Sequence, residues 1–197
     1  WYLWLVKGRG LPPSKVHLLR DTEASRERIE AQLDKAAAEV GPEGTLWVVF
    51  IGHGAPTPDG LDGVLVGMDA QSDPDSLYAR SVKRSKVVQT MDGANAASRI
   101  LVLDTCFSGQ SAGGALLRGL QPVIPSYALK PAGSTTVLTA GSATQFAGPL
   151  PGSGRPGFSY LVLGALTGWG DLDGDGSITS AETVQYANDT LAATLQG

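Results

Sequence analysis

The chain has 197 residues, 42% of them hydrophobic and 17% charged, and a net charge of −4. These proportions suit one globular domain with a full core, and the absence of a basic face argues against a nucleic-acid binder. No run approaches the roughly 18 apolar residues of a membrane span. Because it begins at Trp1 rather than Met, the chain reads as part of something longer, and localisation stays open.

In chain order, the apolar, aromatic stretch WYLWLVKGRGL reads as a helix remnant running into a turn at Pro12-Pro13. KVHLLR (Lys15 to Arg20) is a strand candidate. Asp21 or Thr22 can cap a helix to about Val40, with Ile29, Leu33, Ala36, Ala37 and Val40 at helical spacing. After Gly41-Pro42-Glu43-Gly44, the apolar run TLWVVFI (Thr45 to Ile51) reads as a strand covered on both faces. It stops at Gly52-His53-Gly54.

Residues 55–75 are rich in Pro, Gly and Asp and predict a loop or hairpin, with Gly63 to Met68 as a short strand. Ser76 to Met91 predicts a helix that carries the basic cluster Lys83-Arg84-Ser85-Lys86. RILVL (Arg99 to Leu103) is a second buried strand and ends at Asp104-Thr105-Cys106-Phe107-Ser108-Gly109. The Gly/Pro/Ala-rich stretch Gln110 to Ser134 is long for a connection, and such connections tend to be functional. TTVLT (Thr135 to Thr139) is a third buried strand. Helices follow at about Phe158–Gly168 and after the acidic loop 171–182.

Alternating strands and helices predict a three-layer α/β sandwich with a mostly parallel sheet and helices on both faces. Ligands in such sheets sit outside the carboxyl ends of the strands. The single cysteine, Cys106, and one of two histidines, His53, both follow the carboxyl end of a buried strand. On adjacent strands they can share one cleft. A thiol attacks a carbonyl only as thiolate, and a nearby imidazole can lower its pKa or carry protons. Gly54 and Gly109 allow close backbone approach, leaving N–H groups for an oxyanion. The bland alternative is a small buried hydrophobe at a strand end. His17, mid-strand and without flanking glycines, reads as structural.

VVFIGHG (Val48 to Gly54), followed about fifty residues later by LVLDTCFSG (Leu101 to Gly109), resembles the caspase and metacaspase superfamily. KVHLLRDTEAS, TTVLTAG and GFSYLVLGALTG extend the resemblance over nearly the whole chain, so that 1–197 reads as one caspase-like peptidase domain. The resemblance implies Cys106 as nucleophile, His53 as general acid, and the N–H groups of Gly54 and Cys106 as oxyanion hole. It implies a protein or peptide substrate, and an activating domain, fused or separate. The family's first strand is not visible in this chain, and Phe107 stands where metacaspases usually have His. Asp104 stands where caspases have Gln; relatives with Asp there place it at the bottom of the pocket, where a carboxylate selects Arg or Lys. Otherwise it caps a loop. Relatives also cleave themselves after the nucleophile strand, which makes Arg118, and secondarily Lys130, candidate self-processing sites.

Residues 171–182, DLDGDGSITSAE, match an EF-hand loop, with carboxylates at positions 1, 3, 5 and 12 and glycine at 6. Asp171, Asp173, Asp175 and Glu182 would supply side-chain oxygens to Ca2+, Ser177 its carbonyl, and Thr179 a water-mediated contact. The alternative is an acidic turn capping the last helix. No organic cofactor is called for. Two functional readings follow: a cysteine endopeptidase cleaving after Arg or Lys, and a catalytically silent calcium-binding interaction scaffold.

Overall fold

The computed structural model describes residues 1–105, 107, 110–111, 114–115, 133–139 and 156–196. Its elements in chain order are α1 (Arg26–Glu39), β1 (Thr45–Ile51), β2 (Gly54–Pro56), β3 (Gly63–Val66), α2 (Pro74–Ala79), β4 (Ser81–Lys83), α3 (Arg84–Asp92), β5 (Ser98–Asp104), β6 (Gln110–Ser111), β7 (Gly114–Ala115), β8 (Thr135–Thr139), α4 (Gly157–Gly164) and α5 (Ser180–Gln196). A mixed α/β fold results. β1, β5 and β8 form a parallel sheet in that order, while β2, β3 and β4 form a small antiparallel one.

The sheet strands form in runs rich in β-branched and other apolar residues, and alternation sends their side chains to opposite faces. Leu46, Val48 and Phe50 of β1, Leu101 and Leu103 of β5, and Val137 of β8 meet Leu33 of α1 and Val87 and Met91 of α3. From the other face, Trp47, Val49, Ile100, Val102 and Leu138 meet Phe158 and Val162 of α4. Helices therefore cover both faces, as the continuous apolar runs predict. Leu101, Val102 and Leu103 have no exposed surface; burying each side chain is worth about 1.5–3 kcal/mol. Trp1, Trp4 and Trp47 pack with ring centroids 5.6–6.1 Å apart, two of the pairs edge-to-face, over the β1 side of that second core.

Three expectations need correction. Lys15 to Arg20 is not a strand: Pro13–Lys15 forms a helical turn, and the following residues run extended without a ladder partner among the described residues. Extended backbone becomes a strand only where another strand accepts its hydrogen bonds. The first long helix starts later than expected. Asp21–Glu23 forms a separate turn, and Ser25 caps α1 by accepting the Arg28 N–H at 3.4 Å.

The helix expected over Ser76 to Met91 is broken into α2, β4 and α3. Asp73 caps α2, accepting the Ser76 N–H at 2.8 Å, and Pro74 takes the first helical position. Ser81 to Lys83 then pairs with β3, burying Val82 completely. The gain from that pairing outweighs the weak local preference for helix.

Candidate functional site

The carboxyl end of the parallel sheet is organised by strand register. β1 and β5 pair residue for residue from Thr45↔Ser98 to Ile51↔Asp104. The Gly52 N–H carries the pairing one step further, donating to the Asp104 carbonyl at 3.3 Å. The two strands expected to bear His53 and Cys106 are thus direct neighbours and end side by side. His53 is exposed, and its carbonyl accepts the Val66 N–H at 2.9 Å. Gly54 enters β2 immediately afterwards and faces Leu65 of β3. The small antiparallel sheet therefore fixes the main chain on both sides of the imidazole. Cys106 lies outside the described residues, as do Arg118 and Lys130.

Asp104 is buried, with 6% of its surface exposed. Its Oδ2 accepts the Ser159 N–H at 2.7 Å. Ser159 is the third residue of α4, whose first residues lack partners of their own, and no side chain next to the helix in sequence caps it. A carboxylate from β5 supplies that cap, where the helix dipole also favours a negative charge. Next to it, Thr105 is 3% exposed, and its Oγ1 has no hydrogen-bond partner among the described residues.

Phe107 belongs to a cluster that sequence reasoning missed. Its ring joins the core beneath α1 and α3 and lies directly against Gly63: a Cβ there would run into the ring's Cδ1. The Arg84 guanidinium stands 5.3 Å from the ring centroid, and its Nε is 3.3 Å from Asp62 Oδ1. Asp62 also accepts the Gly63 N–H at 2.8 Å and the Ser85 N–H at 3.2 Å. The one available signal was a glycine at a strand start, which marks close approach of another group.

The acidic loop is a separate arrangement. Carboxylate oxygens of Asp171, Asp173 and Asp175 all lie within 4.8 Å of one another. Gly174 and Gly176 have φ of +76° and +83°, the left-handed conformation needed to fold the loop inward. Asp171 Oδ2 accepts the Gly176 N–H at 3.1 Å, Asp173 accepts that of Asp175 at 3.1 Å, and Asp175 accepts that of Ser177 at 2.7 Å. Asp171 Oδ1 is buried without a hydrogen-bond partner among the described residues.

Glu182 does not join that cluster. Its Oε1 accepts the Leu172 N–H at 3.1 Å, and its Oε2 accepts from the Thr179 N–H at 2.9 Å and hydroxyl at 2.8 Å. Thr179 Oγ1 in turn accepts the Glu182 N–H at 3.2 Å, a reciprocal cap for α5. Backbone and hydroxyl donors from Thr179 hold the Glu182 carboxyl below the usual carboxylate range. Thr179, expected to act through water, serves here as the helix cap.

No cationic side chain pairs with the three aspartates among the described residues. Hard oxygen donors packed this closely, one of them an orphaned buried oxygen, fit a hard divalent cation. The loop can hold a metal ion on that basis. No described helix is long and apolar enough to cross a membrane. No protein-family model matches the chain, and no curated protein matches it.

Proposed function

We propose that the chain is a cysteine endopeptidase of caspase-like fold, with Cys106 as nucleophile and His53 as its acid–base partner. One observation carries this reading: β1 and β5 are neighbouring parallel strands paired through Ile51↔Asp104. His53 and Cys106 each follow that last pair by two residues, and consecutive Cα atoms are only about 3.8 Å apart. The Cys106 thiolate attacks the scissile carbonyl, forming a tetrahedral oxyanion held by the N–H groups of Gly54 and Cys106. The C–N bond breaks as His53 protonates the leaving amine. Water then hydrolyses the thioester and regenerates the thiol.

Asp104 would set the preference for Arg or Lys before the scissile bond. Oδ2 is engaged by Ser159, and a carboxylate has lone pairs on both oxygens to offer a second partner. In the acidic loop, Ca2+ would be held by Asp171, Asp173 and Asp175, supplying positive charge that offsets their mutual repulsion. The second reading, a calcium-binding scaffold without catalysis, is favoured by the loop's being built from its own residues, with no part supplied by the sheet among the described residues.

A fluorogenic peptide panel varying the residue before the scissile bond, run with Ca2+ or chelator, tests both. Cleavage after Arg or Lys that disappears in Cys106→Ala is the expected result. No cleavage by the intact chain under any condition leaves the scaffold.

A further inference from the structure

We propose that Phe107 is a packing anchor for the neighbouring Cys106, and that Gly63 and Arg84 are the positioning residues that seat it. This rests on the reading of Cys106 as nucleophile and names the residues that hold that nucleophile in place. Three observations converge on the ring. It packs into the core of α1, α3 and the sheet. The start of β3 approaches it so closely that position 63 has no room for a methyl group. Arg84, at the start of α3, covers it as a cation over an aromatic face, 5.3 Å from the centroid. Asp62 holds the clamp together, reaching Arg84 and accepting the N–H groups of both Gly63 and Ser85.

The clamp joins Phe107, three residues beyond β5, to the start of β3 and the start of α3. β3 is also the strand whose Val66 N–H holds the His53 carbonyl. One short antiparallel sheet thereby touches the main chain at His53 and the side chain next to Cys106. A ring one residue after Cys106, held on two sides, fixes the main chain at its own position and so constrains the residue before it. Misplacement by about 1 Å can cost about 100-fold in rate.

The test uses the full chain and its only cysteine. Alkylation of Cys106 by iodoacetamide is followed across pH alongside peptide cleavage, for Gly63→Ala, Phe107→Leu and their double variant, with thermal unfolding as a fold control. Gly63→Ala is expected to lower kcat about 10- to 100-fold with KM within about twofold, and to move the alkylation profile toward that of a free thiol. Because the three atoms nearest the added methyl all belong to the Phe107 ring, the double variant should be no worse than Phe107→Leu alone. Arg84→Lys, which keeps the cation, should retain more activity than Arg84→Ala.

Wild-type alkylation and kcat in a folded Gly63→Ala protein overturn the anchor. So does a double variant showing the full sum of the single losses. A wild type that cleaves no peptide but whose alkylation profile still moves in Gly63→Ala ends the peptidase reading and keeps the anchor.

Discussion

The carboxyl end of the parallel sheet and the acidic loop are built in opposite ways. Every part of the sheet end comes from far away in sequence: β1 beside β5, Asp104 under the Ser159 N–H, Phe107 against Gly63. The loop is closed by its own twelve residues, with Glu182 reaching back to Leu172 and each aspartate bonding an N–H further along the loop. A site assembled across the fold should fail whenever its framework moves. A local one should survive substitutions elsewhere and fail only to changes within it.

The largest expected effect lies in the chemistry at the sheet end. Cys106→Ala should abolish cleavage, a loss of about 1,000-fold or more, and His53→Ala should cost about 100- to 10,000-fold, read as kcat/KM on an Arg-terminated fluorogenic peptide. Calcium titrations of the loop should be unchanged in both.

Next is the framework. Leu101→Ala, at a position without exposed surface, should destabilise the fold by about 2–5 kcal/mol in urea unfolding. Activity should fall with the folded fraction, while the affinity of the loop for Ca2+ in the folded full chain stays as it was. If loop affinity falls in parallel under folding conditions, the two regions are not independent.

Asp104 sharpens the contrast because, on the proposed reading, one side chain has two uses. Asp104→Asn keeps an oxygen for the Ser159 N–H and should lower stability by no more than about 1 kcal/mol. It should also remove the preference for Arg and Lys. Asp104→Ala leaves the α4 N-terminus uncapped and should cost about 1–3 kcal/mol. Equal selectivity in Asp104→Asn and the native chain would return Asp104 to a helix cap alone.

The loop is expected to leave cleavage untouched and to show itself in stability alone. Ca2+ at 100 times its dissociation constant should stabilise the chain by about 2.7 kcal/mol, seen as a rise in melting temperature that Asp171→Asn or Asp173→Asn removes. Glu182 titrates below the usual carboxylate range because Thr179 donates to it. A depressed folded-state pKa stabilises above the unfolded value and is lost as pH falls through the folded one. The α5 cap should therefore persist through the ordinary carboxylate range and open only on stronger acidification, as carboxyl NMR shifts would record.

The same contrast explains what the sequence made legible. TLWVVFI and RILVL announce β1 and β5 by their apolar runs, and TTVLT announces β8 by its β-branched residues, although Thr136 and Thr139 of β8 are exposed. The aspartate spacing and the glycines at positive φ announce the loop, since its hydrogen bonds run between near neighbours. Residues 81–83 read as helix because their strand partner is β3, fifteen or more positions back. The cap on α4 was invisible for the same reason: Asp104 and Ser159 stand 55 residues apart. KVHLLR carries a strand pattern, but pattern alone supplies no partner, and the segment runs unpaired among the described residues.

The most direct measurement is intact-mass analysis after treatment with a peptidyl acyloxymethyl ketone ending in Arg, in native, His53→Ala and Cys106→Ala chains. A one-to-one adduct on Cys106, strongly slowed in His53→Ala and absent in Cys106→Ala, is the result expected of a nucleophile activated by its neighbour across the sheet end. Labelling at the same rate in native, His53→Ala and urea-unfolded chains would mean an ordinary thiol, and would contradict the catalytic assignment.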